Sequence, residues 1–263
     1  MAISADGARW FLINASPDLR AQLEESVALQ PKGESFRGSP IEGVLLTNAD
    51  LDHVLGLISL REGRRISTYA TEAVRKTLNT SLRLEAFLGA FAGIEWRLVP
   101  AASVPLLLAD GTPSGLKLRA IPLPGGPPRF AEEWSGSSEG HSVAYEIVDE
   151  KTDGKLLVAP DVSAVTPDLE RAMQDSTAVL FDGTFWSDDE LQEVHPGART
   201  SREMGHLPIA EGSLEPLRKS AATHKIYLHI NNTNPILSPG SPERARVKAA
   251  GIAVGEDGME FEL

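Results

Sequence analysis

The chain has 263 residues, no cysteine and a net charge of −12, with 41% hydrophobic and 24% charged residues. That suits one large α/β domain, or two small ones at roughly 150 residues each, with enough apolar side chains for a core. The acidic balance repels phosphate backbones and excludes nucleic acid as a partner, and the lack of cysteine excludes disulfides and thiolate metal sites within the chain. No window reaches the roughly 18 apolar residues of a membrane span. The N-terminus lacks the basic-then-apolar pattern of a signal peptide, so a cytoplasmic location is expected.

In chain order, "ARWFLINA" (8–15) reads as a strand and "SPDLRAQLEESVALQ" as a helix capped by Ser16, with Pro17 at its first position. "IEGVLLT" (41–47) is an apolar run of strand length, and "LDHVLGLISLRE" has helical apolar spacing. "ISTYA" reads as a strand, and "TEAVRKTLNTSLRLEAFLG" as one helix capped by Thr71. "IEWRLVP", "SVPLLLA" and "LKLRAIPLP" follow as strands. The Pro/Gly/Ser-rich stretch 124–140 is expected to be a long functional loop. "HSVAYEIVD" and "KLLVAPD" flank a "TDGK" turn and predict a β-hairpin. "TPDLERAMQDS" reads as a helix and "TAVLFDG" as a strand, followed by a polar stretch to about residue 210. A short helix (213–222), the strand "KIYLHIN", the helix "SPERARVKAAG" and the ending "IAVGEDGMEFEL" complete the chain. The alternation of strand and helix predicts two sheets with helices outside them, in a single domain over 1–263.

Polar chemistry collects where the strands end. Asn48, Asp50, Asp52 and His53 follow the strand closing at Thr47, and His141 opens the strand after the long loop. Asp161 and Asp182 close two more strands, and His229 sits near the end of another, ahead of Asn231, Asn232 and Asn234. Loops at strand ends commonly assemble active sites. Taken singly, an Asp there caps a turn and a His is a hydrogen-bonded core residue. Phe185 and Trp186 are read as core, His195 and His224 as surface, and Ser16 as a cap, because no G-x-S-x-G elbow or Gly-rich phosphate loop is present.

The spacing T-N-A-D-L-D-H resembles the T-H-x-H-x-D-H signature of the metallo-β-lactamase superfamily. "EGHSVA" resembles its Gly-His segment, "VAPDVS" its strand-end Asp and "LHINNTNP" its final His, in the same order. Within that superfamily, "LINASPDL", "TNADLDHVLGLISLREG", "FDGTFWSDDEL", "MGHLPI" and "HINNTNPIL" resemble the PqqB family of pyrroloquinoline quinone (PQQ) biosynthesis. The resemblance implies a four-layer αββα sandwich. Members of that family begin with a further segment carrying a first strand and a Cys-rich zinc site, so the sandwich is expected to lack its first strands here.

The first two histidines of the superfamily signature are Asn48 and Asp50 in this sequence. The resemblance implies that the site they would build with His141 is impaired. It also implies that Asp52, His53 and His229, with Asp161 as a fourth ligand, hold a metal. Two imidazoles and a carboxylate match the donor face of non-haem Fe(II) enzymes, and the same donors bind zinc. Asp182 and His206 would orient ligands, Asp50 and His141 would handle protons or position a phenol, and the three asparagines would bind a polar substrate or stabilise their turn. The implied function is iron- and O2-dependent hydroxylation of the tyrosine ring in a Glu-Tyr-derived PQQ precursor. A carrier moving PQQ or its precursor to the periplasm, with Arg199 and Arg202 as anion contacts, is a second reading. A zinc-dependent hydrolase is the third. A homodimer stays open as the assembly.

Overall fold

The computed structural model describes residues 1–31, 38–132 and 140–263. The expected long loop at 124–140 lies partly outside the described residues, at 133–139. The chain divides into two compact units: Met1–Ala120 with Gly126–Ser142, and Ile121–Gly125 with Val143–Leu263. Among the described residues the strands form two sheets, β1 to β5 and β6 to β12, accompanied by eight α-helices. Among the described residues no helix is long and apolar enough to cross a membrane.

In the first unit, β1 (Ala2–Ile3), β2 (Trp10–Ile13), β3 (Ile41–Leu45), β4 (Ile66–Ala70) and β5 (Ile94–Leu98) lie side by side in sequence order. β1 pairs antiparallel with β2, and the other neighbours are parallel. β4 is buried along its whole length, with Ser67 and Thr68 enclosed among its apolar neighbours. The core gathers Leu12, Val44, Leu46, Leu57, Val74, Leu78 and Leu88 beneath α1 (Leu19–Glu25), α3 (Glu72–Ser81) and α4 (Leu84–Leu88). β6 (Val104–Leu107) and β7 (Pro113–Leu123) form an antiparallel pair.

Three local expectations change. The first helix starts at Leu19 with Asp18 at its N-cap, not at Ser16. The helix expected from Thr71 breaks at Arg83, which adopts a left-handed φ of 50°. Asn79 drives that break: its Oδ1 accepts the Glu85 N–H at 3.0 Å and so starts α4 afresh. Thr71 does cap α3, accepting the Val74 N–H at 3.1 Å. The segment after Asp50 is one α-turn, α2 (Leu51–Val54), continued as a 3-10 helix over Leu55–Leu60.

In the second unit the strands run in the order β12 (Ala253–Val254), β11 (His224–Leu228), β10 (Ala178–Asp182), β9 (Lys155–Ala159) and β8 (Ser142–Asp149). The expected hairpin is β8 with β9, antiparallel, while β9, β10, β11 and β12 are mutually parallel. Its core holds Leu157, Val179, Phe181, Tyr227 and Val247 with α5 (Pro167–Asp175), α7 (Leu214–Lys219) and α8 (Pro242–Ala249). Proline at the first turn and a Thr or Ser cap open both α5 and α8: Thr166 accepts from Leu169 and Ser241 from Arg244. The polar stretch before residue 210 holds α6 (Glu190–Val194), a 3-10 turn at Arg202–Met204 and a π-turn at Ile209–Ser213.

Candidate metal centre

The first unit places its donors on the loop between β3 and the 3-10 helix. Asn48 is buried, and its Oδ1 accepts the Asp50 backbone N–H at 3.0 Å, closing a short turn. Asp50 then takes the N-cap position of α2. Asp52 is exposed and His53 buried, with Asp52 Oδ2 3.7 Å from His53 Nε2. Behind His53 stands Asn14, at the end of β2 with a φ of 58°. Asn14 Oδ1 accepts the Thr47 N–H at 2.9 Å, which aims its Nδ2 at Thr47 Oγ1 (2.9 Å) and His53 Nδ1 (3.1 Å). The loop backbone is tied to the same strand end. Ala15 N–H donates to His53 O at 2.7 Å, and Gly56 N–H to Ala15 O at 2.9 Å. His141, just before β8, is buried.

The second unit brings three predicted residues together: Asp161, His206 and His229 present ligand atoms within 4.8 Å of one another. Parallel pairing explains two of them. β9, β10 and β11 run side by side, so Asp161, Asp182 and His229 all emerge at the same kind of strand end. His206 comes from the polar stretch, which is returned to these ends by Leu207 N–H donating to Val162 O and by Ile209 N–H donating to Phe185 O at 2.9 Å.

Asp182 is fully buried. Its Oδ2 lies 2.8 Å from His206 Nδ1 and accepts the Val162 N–H at 2.9 Å. Its Oδ1 accepts from Thr184 N (3.0 Å) and Thr184 Oγ1 (2.6 Å). Burial alone would raise the Asp182 carboxyl, but the hydrogen bond and charge of His206 outweigh it and hold it below the ordinary value. For His206 burial works downward, and the hydrogen bond and charge of Asp182 prevail and raise it. His229 has a left-handed φ of 56°, and Thr184 Oγ1 lies 2.9 Å from its Nδ1 and 2.8 Å from its carbonyl.

The three asparagines differ. Asn234 is buried, donating to Gly183 O at 2.8 Å and accepting from Ile236 N at 3.1 Å, so its amide builds the turn. Asn231 donates to Thr233 Oγ1 at 2.6 Å, and Asn232 is exposed. Four residues with a clear part in this geometry were not singled out from sequence: Asn14, Thr47, Thr184 and Glu190. Glu190 receives the Thr233 hydroxyl at 2.5 Å and the Trp186 N–H at 2.6 Å. The signal for Asn14 was its place at a strand end, where Asn tolerates positive φ.

Residues 9–230 match the beta-lactamase superfamily domain. A diphosphatase from the PhnP family shares the fold, with a TM-score of 0.62 at 20% identity over 95% of this chain and 78% of that one. The fold is thus that of the metallo-β-lactamases. Coenzyme PQQ synthesis protein B of Rhizobium meliloti (strain 1021) is 39% identical over all of this chain and 84% of its own length. Its counterpart in Pseudomonas putida (strain GB-1) is 38% identical, with 86% covered. Zn(2+)-bound PqqB from Methylobacterium extorquens superposes with a TM-score of 0.87 at 34% identity, over 100% of this chain and 86% of that one. This chain belongs to the coenzyme PQQ synthesis protein B family.

The residues present fit a transition metal. Imidazole and carboxylate atoms converge within the second unit, and a buried carboxylate stands behind one of the rings, the usual support for a metal-binding histidine.

Proposed function

We propose that this chain serves PQQ biosynthesis by hydroxylating the tyrosine ring of a Glu-Tyr-derived precursor. The ligands are Asp52, His53 and His229, with Asp161 as the fourth. Ferrous iron, when bound, supplies the activation of O2. In the net reaction one oxygen atom enters a ring C–H bond and the other leaves as water, with two electrons and two protons from an external reductant. Asp50 and His141 position the phenol and handle its proton. Asn231 and Asn232 bind the polar groups of the precursor.

One observation carries the mononuclear reading over a dizinc hydrolase. Asn48 stands where the superfamily signature has its first histidine, and its carbonyl oxygen is engaged by the Asp50 backbone N–H. A neutral amide committed to a turn is a poor ligand for a second metal, whereas two imidazoles and a carboxylate suit Fe(II) and leave coordination positions open. Zinc suits the same donors, so metal identity belongs in the test.

The test is anaerobic reconstitution with iron or zinc, followed by oxygen uptake and product mass with a Glu-Tyr precursor. Uptake with iron alone, a precursor heavier by oxygen and loss of both in Asp52→Ala are expected. Undiminished hydroxylation by Asp52→Ala carrying stoichiometric iron refutes the assignment. Tight PQQ binding by metal-free protein without oxygen uptake refutes it in favour of a carrier.

A further inference from the structure

Glu190 opens α6 with its side chain enclosed, 7% exposed. Its Oε2 accepts the Trp186 N–H at 2.6 Å, and its Oε1 lies 2.5 Å from the Thr233 hydroxyl. On its other side the Thr233 oxygen lies 2.6 Å from the Asn231 side-chain amide. The three side chains form a line, and the carboxylate sets its direction. A carboxylate only accepts, so Thr233 donates its single hydrogen to Glu190. The hydroxyl lone pair then receives an N–H, which turns the NH2 corner of Asn231 toward Thr233 and its carbonyl corner away. Asn231 follows His229 by two residues on a turn whose backbone is held: Asn231 N–H donates to Thr184 O at 3.1 Å, and Asn234 N–H to Asn231 O at 3.0 Å.

We propose that Glu190 is a positioning residue for the substrate: through Thr233 it fixes Asn231 with Oδ1 outward, and that oxygen accepts from an ammonium group of the precursor. The inference deepens the reading in which Asn231 binds polar groups of the precursor, and it rests on that reading. A Glu-Tyr-derived molecule offers carboxylates, which need donors, and ammonium groups, which need acceptors. An asparagine amide free to turn over would serve either. Held by a buried carboxylate it serves the cation, and it repels a carboxylate by setting oxygen against oxygen. Glu190→Gln inverts the line without changing its shape. The Trp186 N–H still requires an acceptor, so the amide oxygen of the variant faces Trp186 and its NH2 faces Thr233. Thr233 then accepts from position 190 and donates to Asn231, whose amide turns over and presents NH2 outward.

Full-length protein is titrated by calorimetry with two probes, the dipeptide Glu-Tyr and glutaryl-Tyr, which differ only in the α-ammonium group. A pH of about 7 keeps that group largely protonated. Wild type should bind Glu-Tyr about 10–100-fold more tightly than glutaryl-Tyr, the range of one charge-assisted hydrogen bond. Glu190→Gln and Thr233→Val should each reduce this preference to within about threefold, and Thr233→Ser should restore it. Thr233→Val keeps the Glu190 charge, so it separates the hydrogen-bonded line from simple attraction between charges. Recovery in Thr233→Ser excludes misfolding as the cause. Hydrogen exchange of the Asn231 side-chain amide, assigned in NMR spectra by its loss in Asn231→Asp, reads the orientation without any probe. It should quicken about tenfold or more in Glu190→Gln and in Thr233→Val, where no amide hydrogen is held by Thr233. Unchanged exchange in both variants overturns the line from Glu190, and so does a preference that survives Thr233→Val. Equal binding of the two probes by wild type overturns the ammonium assignment alone. Failure of wild type to bind either probe overturns the inference together with the precursor reading.

Discussion

Adding one methyl group at Gly56 tests how the His53 loop is held. Gly56 is buried against the end of β2, and a Cβ there would lie 2.2 Å from Ser16 O, 2.8 Å from Leu19 Cβ and 2.9 Å from the Ala15 carbonyl carbon. Ordinary contact begins near 3.4 Å, so the loop must retreat by more than 1 Å. Retreat breaks two bonds, Gly56 N–H to Ala15 O and Ala15 N–H to His53 O. At about 1 kcal/mol per hydrogen bond, with about 1–3 kcal/mol for overpacking, Gly56→Ala should cost about 3–5 kcal/mol. In a chain of this size each kcal/mol lowers the melting temperature by about 2–4 °C, so a fall of roughly 6–20 °C is expected. Circular-dichroism melts of zinc-free protein measure it. A melting temperature within about 3 °C of wild type would refute the claim that this glycine is required by space.

Asn14→Ala removes the amide that joins Thr47 N–H to His53 and places alanine at positive φ. A loss of roughly 2 kcal/mol in urea unfolding is expected, together with weaker zinc binding, and unchanged zinc affinity would show that Asn14 does not position the ring. Tyr69→Phe strands both Leu107 backbone groups, because the phenol donates to Leu107 O at 3.0 Å and accepts from Leu107 N at 2.8 Å. The urea midpoint should fall by an equivalent of about 1–3 kcal/mol at constant slope, and an unmoved midpoint counts against the pairing. Burial raises the Glu190 carboxyl above its ordinary 4.5, against the hydrogen bonds of Thr233 and Trp186. A raised folded value means that its stabilisation is complete below 4.5 and is lost as pH rises through that folded value. Wild type should therefore lose stability relative to Glu190→Gln as pH climbs from 4.5, and a gap that stays constant across this range contradicts the shift.

The parts legible in the sequence were those coded locally. The polar strand ends at Asp161, Asp182 and His229 and the Thr71 cap needed only short spacing rules, and the T-N-A-D-L-D-H loop stood out by its resemblance to the superfamily signature. What stayed hidden depends on contacts between distant segments. Asn14 meets Thr47 and His53 across 33 and 39 residues, so nothing in either segment marks the pairing. Thr184 gains its part only because β10 lies parallel to β11 and brings His229 alongside. β1 is two residues long, too short for any periodicity to show. The break at Arg83 carries no Pro or Gly, since a side chain six residues upstream caps the new helix.

Parallel register also governs how this sequence can change in length. Phe181 sits opposite Ala159 and Tyr227, and Asp182 opposite Leu228, so the donors beyond these strands share one alignment. Deleting a single residue inside β10 would turn its side chains to the opposite face and carry Asp182 away from Val162 N and His206. Residues removed from the exposed stretch around Gly197 leave that alignment untouched. Natural length variation is therefore expected to fall between the strands and to spare their interiors, whatever the substitutions within them.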